Sequence, residues 1–236
     1  MRNKVMLVSD YDHTFYLNDD DIELNKQMIQ KFREKNIFVI ATGRCYDDFK
    51  IKKDMYNIEY DYLIMDHGAT IMDVKDNILY NSSIDNDIIC AIIKDLNLEC
   101  ATRTFCSSQL EGKVAFNHKD LTKIYVQYPT EEMTTKIKND LIKKYSKYIN
   151  VYTIRNNSIE IISNKTNKSH AINLLIEYLN ISDENVYTVG DGHSDIEMIR
   201  DYNGYRMKNS IEELKKVTSN EVESVSLLIN KLLEEK

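Results

Sequence analysis

Four short apolar runs, each cut off by an acid, a glycine or both, govern what this chain can fold into. They are "KVMLVSD" (residues 4–10), "IFVIATG" (37–43), "YDYLIMDHG" (60–68) and "NVYTVGD" (185–191). Runs this short, bounded by turn residues, read as buried strands. After the first, "IELNKQMIQKFREK" (22–35) repeats Leu24, Met28 and Phe32 every four residues behind the caps Asp19 to Asp21, which predicts an amphipathic helix. A short helix is expected over 46–56 and another over "KSHAINLLIEYL" (168–179). Strand and helix in alternation build a parallel sheet with right-handed crossovers.

The rhythm breaks near residue 70. "TIMDVKDNILYNSS" (70–83) alternates polar and apolar residues around Asp76-Asn77, the pattern of a β-hairpin. A helix around 85–97, strand-like "KVAFN" and "KIYVQY", a helix over 131–147 and the strands "NVYTI" and "SIEIIS" follow. The βα rhythm resumes at Lys168 and ends in a short "GYRM" strand and two helices. The expectation is an α/β fold: a doubly wound parallel-sheet core in two parts, 1–82 and 164–236, with a smaller α+β unit at 83–163 inserted between them.

Glycine is scarce, with six copies in 236 residues, so its placement is informative. Gly43, Gly68, Gly190 and Gly192 each follow one of the apolar runs, at the turns where a strand meets its loop. Those carboxyl ends are where ligands bind in open α/β sheets. They gather Asp10 and Asp12 after the first strand, Thr42, Gly43 and Arg44 after the second, Asp191 and Asp195 after the fourth, and Lys168 at the helix entering the second half. Two carboxylates about 4 Å apart repel by roughly 4 kcal/mol at an effective dielectric of about 20. Four converging in one crevice need a cation between them, and oxygen donors without His or Cys favour Mg²⁺. A phosphoryl group fits what remains, with Lys168 as a point charge and the Thr42 hydroxyl and backbone N–H groups as donors. One carboxylate can then attack phosphorus as a nucleophile while its neighbour moves the proton. Spacing alone does not say which does which.

These motifs resemble those of the haloacid dehalogenase (HAD) superfamily of phosphatases, and within it the Cof-type members, subclass IIB, that carry an inserted cap. The likeness covers D-x-D-x-T at 10–14, "IATGR" at 40–44, the helix-opening Lys168, "GDGHSDIEM" at 190–198 and a closing segment like "MKNSIEELKKVTSNEVESVSLLINKL". The resemblance implies an Mg²⁺-dependent phosphoric monoester hydrolase acting on a small phosphorylated metabolite such as a sugar phosphate, through an aspartyl-phosphate. It implies Asp10 as nucleophile, Asp12 as acid/base whose carbonyl also reaches the metal, Asp191 as direct metal ligand and Asp195 as its support. Thr42, Gly43, Arg44, Lys168 and Ser194 would hold the phosphoryl group, and 83–163 would be a cap that selects substrate. Three positions depart from the family pattern: His13 stands in place of Gly, Ser194 of Asn, and His67 of Asn. A mutase of the same subclass would share every one of these residues, and a ligand-binding relative that has lost turnover would share most. A receiver-type phosphorylation module is disfavoured, since it lacks D-x-D at strand one and an inserted cap.

Composition narrows partners. A formal charge of −7 from 31 basic and 38 acidic residues leaves no basic stripe for nucleic acid or an anionic membrane. No apolar stretch approaches the roughly 18 residues of a membrane span, and no leader-like segment opens the chain, so a cytoplasmic location is expected; the chain would act as a monomer or homodimer, which the sequence does not decide. The four cysteines lack metal-ligand or redox spacing. In the inserted unit Arg103, Lys113, His118, Lys119 and several Tyr are candidates to line a pocket, with nothing to rank them.

Overall fold

The computed structural model describes residues 4–109 and 111–234. The first half runs β1 (Met6–Asp10), α1 (Asp19–Arg33), β2 (Ile37–Ala41), α2 (Tyr46–Tyr56), β3 (Tyr62–Met65), β4 (Thr70–Asp73) and β5 (Ile78–Asn81). The next stretch forms α3 (Asn86–Asp95), β6 (Arg103–Ser108), β7 (Gly112–Val114), β8 (Leu121–Gln127), α4 (Glu131–Tyr145), β9 (Ile149–Ile154) and β10 (Ser158–Ser163). The chain closes with α5 (Lys168–Leu179), β11 (Val186–Gly190), α6 (Ile196–Asp201), β12 (Asn203–Met207), α7 (Glu212–Val217), β13 (Glu221–Val222) and α8 (Val225–Glu234).

One sheet has the order β13-β12-β11-β1-β2-β3-β4-β5. Strands β13 to β3 in this order are parallel, and the expected hairpin β4–β5 joins the edge at β3 in antiparallel sense. β1 is central: the chain winds from it toward β3 on one side, and the second half returns to β11 on the other. That reversal makes the carboxyl ends of β1 and β11 the switch point of the sheet. Strands β1 and β2 are buried on both faces, as their apolar runs require. Met6, Val8, Val39 and Ile64 face the layer containing α5 and α6, while Leu7, Phe38, Ile40 and Leu63 face α1 and α8.

Helix α1 buries a different stripe from the expected one. Ile22, Asn25, Ile29 and Phe32 point inward, and Leu24 is exposed. The cause is Asn25, whose amide donates to Phe15 O (2.7 Å) and whose Oδ1 accepts from Ser226 N (2.7 Å). A polar side chain with both ends bonded can lie under α8, and it turns the helix toward that partner.

The second sheet, β7-β6-β8-β10-β9, is antiparallel throughout. Its strands alternate with period two. Cys106, Ile124, Val126, Ile159 and Ile161 pack with Ile89, Ile92, Ile137 and Leu141 of α3 and α4. The opposite set, Arg103, Phe105, Lys123, Tyr125 and Glu160, faces the ends of β1 and β11 and roofs a cleft there. Strand β6 and the two-residue β13 have no counterpart in the sequence reading, and only the first part of the expected "KVAFN" strand forms. "RTFCSS" holds a single large apolar side chain, so it offers no apolar run to detect.

Candidate active site

Each acid of the cleft is placed by a strand end. Asp10 is the last residue of β1, level with Ala41 of β2, and Asp191 follows the end of β11 next door. Asp195 comes from the turn at 193–195 that leads into α6, and Lys168 is the first residue of α5, whose start is capped by the Asn167 side chain accepting from His170 N (2.8 Å). Lys168 is buried and donates both to Asp10 Oδ1 and to Asp195 Oδ1 (2.7 Å for the latter). The other Asp195 oxygen accepts the backbone N–H groups of Asp191 (3.0 Å) and Gly192 (2.9 Å). Gly190 makes this close fit possible, because a Cβ there would lie 2.5 Å from Asp195 Cγ.

Carboxylate oxygens of Asp10, Asp191 and Asp195 lie within 4.8 Å of one another. With all three ionised and Lys168 among them, the cluster would carry two negative charges in excess. Burial, then Asp195 and Asp191, push the Asp10 carboxyl well above its ordinary value despite Lys168. Burial and Asp195 raise Asp191 to about 6, against the opposing hydrogen bond from Thr14. Thr14 Oγ1 donates to Asp191 Oδ1 at 2.7 Å and so ties the loop after β1 to the loop after β11. An all-oxygen set with this excess charge fits a hard divalent cation.

The remaining predicted residues divide into three groups. Asp12 lies outside the three-carboxylate cluster: Arg44 grips it in a two-pronged pair, Nε to Oδ2 at 2.8 Å and Nη2 to Oδ1 at 2.6 Å. Both residues line the cleft, as do Gly43, His13 and Ser194. Thr42 is buried, and its hydroxyl accepts from Arg44 N (3.1 Å) while its carbonyl accepts from His67 N (3.0 Å). His13 adopts φ 62°, a left-handed conformation that explains the Gly usual in the family; His is among the residues that tolerate it. Its side chain is exposed at the cleft mouth.

His67 is more deeply engaged than its place at a strand end suggests. Asp66 and His67 both take left-handed backbone (φ 47° and 57°), held by Asp66 N to Arg44 O (3.1 Å) and His67 N to Thr42 O. The imidazole packs on Gly43, where a Cβ would come within 2.4 Å of it, and its Nε2 pairs with Glu160 of the second sheet. Glu160 Oε1 meets Lys123 Nζ at 3.0 Å, and Lys123 also pairs with Asp66 at 3.1 Å and donates to Gly43 O. Ser107 (3.1 Å) and Thr122 (2.7 Å) complete the shell around Asp66. Burial alone would raise the Glu160 carboxyl, but Lys123 and His67 outweigh it and hold it down to about 2. This charged network fastens the second sheet to the loops carrying Thr42 and Arg44. Lys123, Glu160 and the role of Thr14 do not stand out in the sequence; period-two alternation in "KIYVQY" and "SIEIIS", with a charge on the non-apolar face, is the signal that marks the first two.

The cleft encloses about 490 Å³, within the range of small-ligand sites. Of the candidates in the inserted unit, Arg103 and Tyr125 line it, while Lys113 pairs with Asp48 (2.5 Å) and His118 with Glu111 (3.0 Å). Among the described residues no helix is long and apolar enough to cross a membrane.

Known proteins agree with this architecture. A protein of Buchnera aphidicola subsp. Baizongia pistaciae named "Putative phosphatase" is 27% identical over 265 aligned positions, covering 96% of this chain and 97% of its own. A haloacid dehalogenase-like hydrolase from B. subtilis has the same fold at TM-score 0.81 and 17% identity, covering 96% of this chain and 99% of that one. The sucrose-phosphatase of Synechocystis sp. PCC6803, solved with sucrose and phosphate, superposes at TM-score 0.73 and 17% identity, with 98% of each chain covered. Likeness at that identity speaks for the fold alone. A family model described as haloacid dehalogenase-like hydrolase matches residues 7–114 and 108–226, nearly the whole length, and on that ground the chain belongs to the haloacid dehalogenase-like hydrolase family.

Proposed function

We propose that this protein is a Mg²⁺-dependent phosphatase that hydrolyses a small phosphate monoester of the sugar-phosphate kind through an aspartyl-phosphate at Asp10, with 83–163 as the cap that selects the substrate. The observation that carries the reading is the position of Asp10. It ends the central strand at the switch point of the sheet, beside Lys168, Asp191 and Asp195, in a cleft open to a ligand. The phosphatase name of the Buchnera relative points the same way.

Asp10, Asp191 and Asp195, with the Asp12 carbonyl, would hold the Mg²⁺, which when bound neutralises charge on the nonbridging phosphoryl oxygens. The chain's own groups do the rest. Lys168 holds one Asp10 oxygen and leaves the other to attack phosphorus, with the ester oxygen departing opposite. Asp12 gives its proton to that oxygen, so the alcohol leaves neutral. Asp12 then takes a proton from water as the water oxygen attacks phosphorus, which frees inorganic phosphate and restores the Asp10 carboxylate. For this the Arg44 fork must release an Asp12 oxygen, and substrate phosphate is a ready alternative partner for a guanidinium. The network of Lys123, Glu160 and His67 fastens the second sheet over the cleft in which this happens.

The test is phosphate release from a panel of monoesters, p-nitrophenyl phosphate and sugar phosphates included, with Mg²⁺ or with chelator, by the native chain and by Asp10→Asn. Metal-dependent release that falls by at least about 10³-fold in the variant is expected. No metal-dependent release above the variant, on any ester, contradicts the reading.

A further inference from the structure

The cleft has an acidic floor and a basic roof, and only the roof has cations to spare. Its floor carries Asp10, Asp12, Asp191 and Asp195. Among the described residues, four Lys or Arg line the cleft: Arg44, Lys123, Arg103 and Arg155. Arg44 is shared between Asp12 and the phosphoryl group being cleaved, and Lys123 is paired with Asp66 and Glu160. Among the described residues Arg103 and Arg155 have no carboxylate partner, and both are exposed to the cleft.

Both are also placed rather than left loose. Arg103, at the start of β6, holds its guanidinium 5.9 Å from the ring centre of Phe105 and 6.0 Å from that of Tyr125. Those two rings are stacked on each other at 4.7 Å, and Phe105 is further covered by Lys113 at 5.1 Å and Lys123 at 5.7 Å. The aromatic pair is thus a seat for cations, with its faces already used, and is a poor platform for a flat substrate ring. Arg155 occupies the β9–β10 turn at φ 54°, a left-handed position that Asn or Gly would take without cost. Two Asn follow at 156 and 157, yet it is the arginine that takes the left-handed position. Strand β9, which Arg155 follows, packs against the 193–195 turn that bears Asp195, and Arg155 lines the same cleft as Asp191 and Asp195.

Resting on the phosphatase reading, we infer that Arg103 and Arg155 bind a second anionic group of the substrate, a carboxylate or a second phosphate, on the side away from the phosphoryl group being cleaved. The preferred substrate is then a phosphate monoester of an acid or a bisphosphate, in preference to the monophosphate of a neutral sugar. A guanidinium forms charge-assisted hydrogen bonds to either group, and the carboxylates of the floor disfavour a second anion beside them.

Isothermal titration with Asp10→Asn in Mg²⁺ tests this without turnover. The probes are glucose 6-phosphate, 6-phosphogluconate for the carboxylate and fructose 1,6-bisphosphate for the second phosphate. At least one of the two probes that carry a second anionic group should bind roughly tenfold or more tighter than glucose 6-phosphate. In the same background Arg103→Gln with Arg155→Gln should bring that ratio close to one, whichever probe shows it. A ratio near one before the substitutions, or a preference that survives them, overturns the inference. A preference that is present and lost as expected, in a protein whose native form releases no phosphate from any ester, sinks the phosphatase reading and leaves the second-anion site standing.

Discussion

Asp12 and Thr14 show how much one residue's chemistry depends on a partner far away in the chain. Asp12 is gripped by Arg44, 32 positions on, while Thr14 bonds Asp191, 177 positions on. On the proposed mechanism, Asp12→Asn should lower kcat by about 10²- to 10⁴-fold while Mg²⁺ binding persists, since it would remove the proton carrier and spare the three clustered carboxylates. Thr14→Val should weaken Mg²⁺ binding by roughly 10- to 100-fold, as loss of a hydrogen bond to a metal-holding carboxylate does, read by titrating thermal stability with Mg²⁺. An unchanged Mg²⁺ midpoint would show that Asp191 does not need its threonine. The acids and Lys168 were legible because a carboxylate at the end of an apolar run has few bland explanations. Thr14 belonged to the motif, yet its role could be seen only once β1 and β11 were neighbours.

Among the elements, the parallel strands were the most readable, because burial on both faces leaves an unbroken apolar run. Strand β6 was not, since half of it faces a cleft and its other half buries small residues such as Cys106. Helix α1 was found but rotated, because one buried Asn with two partners outweighed the Leu24 stripe. The loop after β2 carries a prediction of its own. Gly43 lies under the His67 ring, so Gly43→Ala should destabilise the protein by about 1–3 kcal/mol in urea unfolding. Combining it with His67→Asn, which removes the ring, should recover most of that loss. Additive losses in the double variant would mean that the ring is not what Gly43 accommodates.

Across the whole molecule, the buried cluster of Asp66, His67, Lys123 and Glu160 joins the two sheets, and it was invisible in the sequence because its members come from three separate stretches. Its acid response has a definite sign. Glu160 is held at about 2 in the fold against an ordinary 4.5, so its contribution to stability is complete above about pH 4.5 and is lost as pH falls toward 2. Glu160→Gln should therefore unfold with a shallower pH dependence in that window and should cost about 3 kcal/mol near neutrality, where it leaves Lys123 with one carboxylate fewer. Equal slopes for variant and native protein would place the acid sensitivity elsewhere. The proposed chemistry requires Asp10 to accept a phosphoryl group, and that can be observed directly. Acid quench during turnover with Mg²⁺, borohydride reduction and peptide mass spectrometry should find residue 10 converted to homoserine, the product of a reduced aspartyl-phosphate. Phosphate release with residue 10 unmodified throughout, and the label found on another carboxylate or on none, would contradict it.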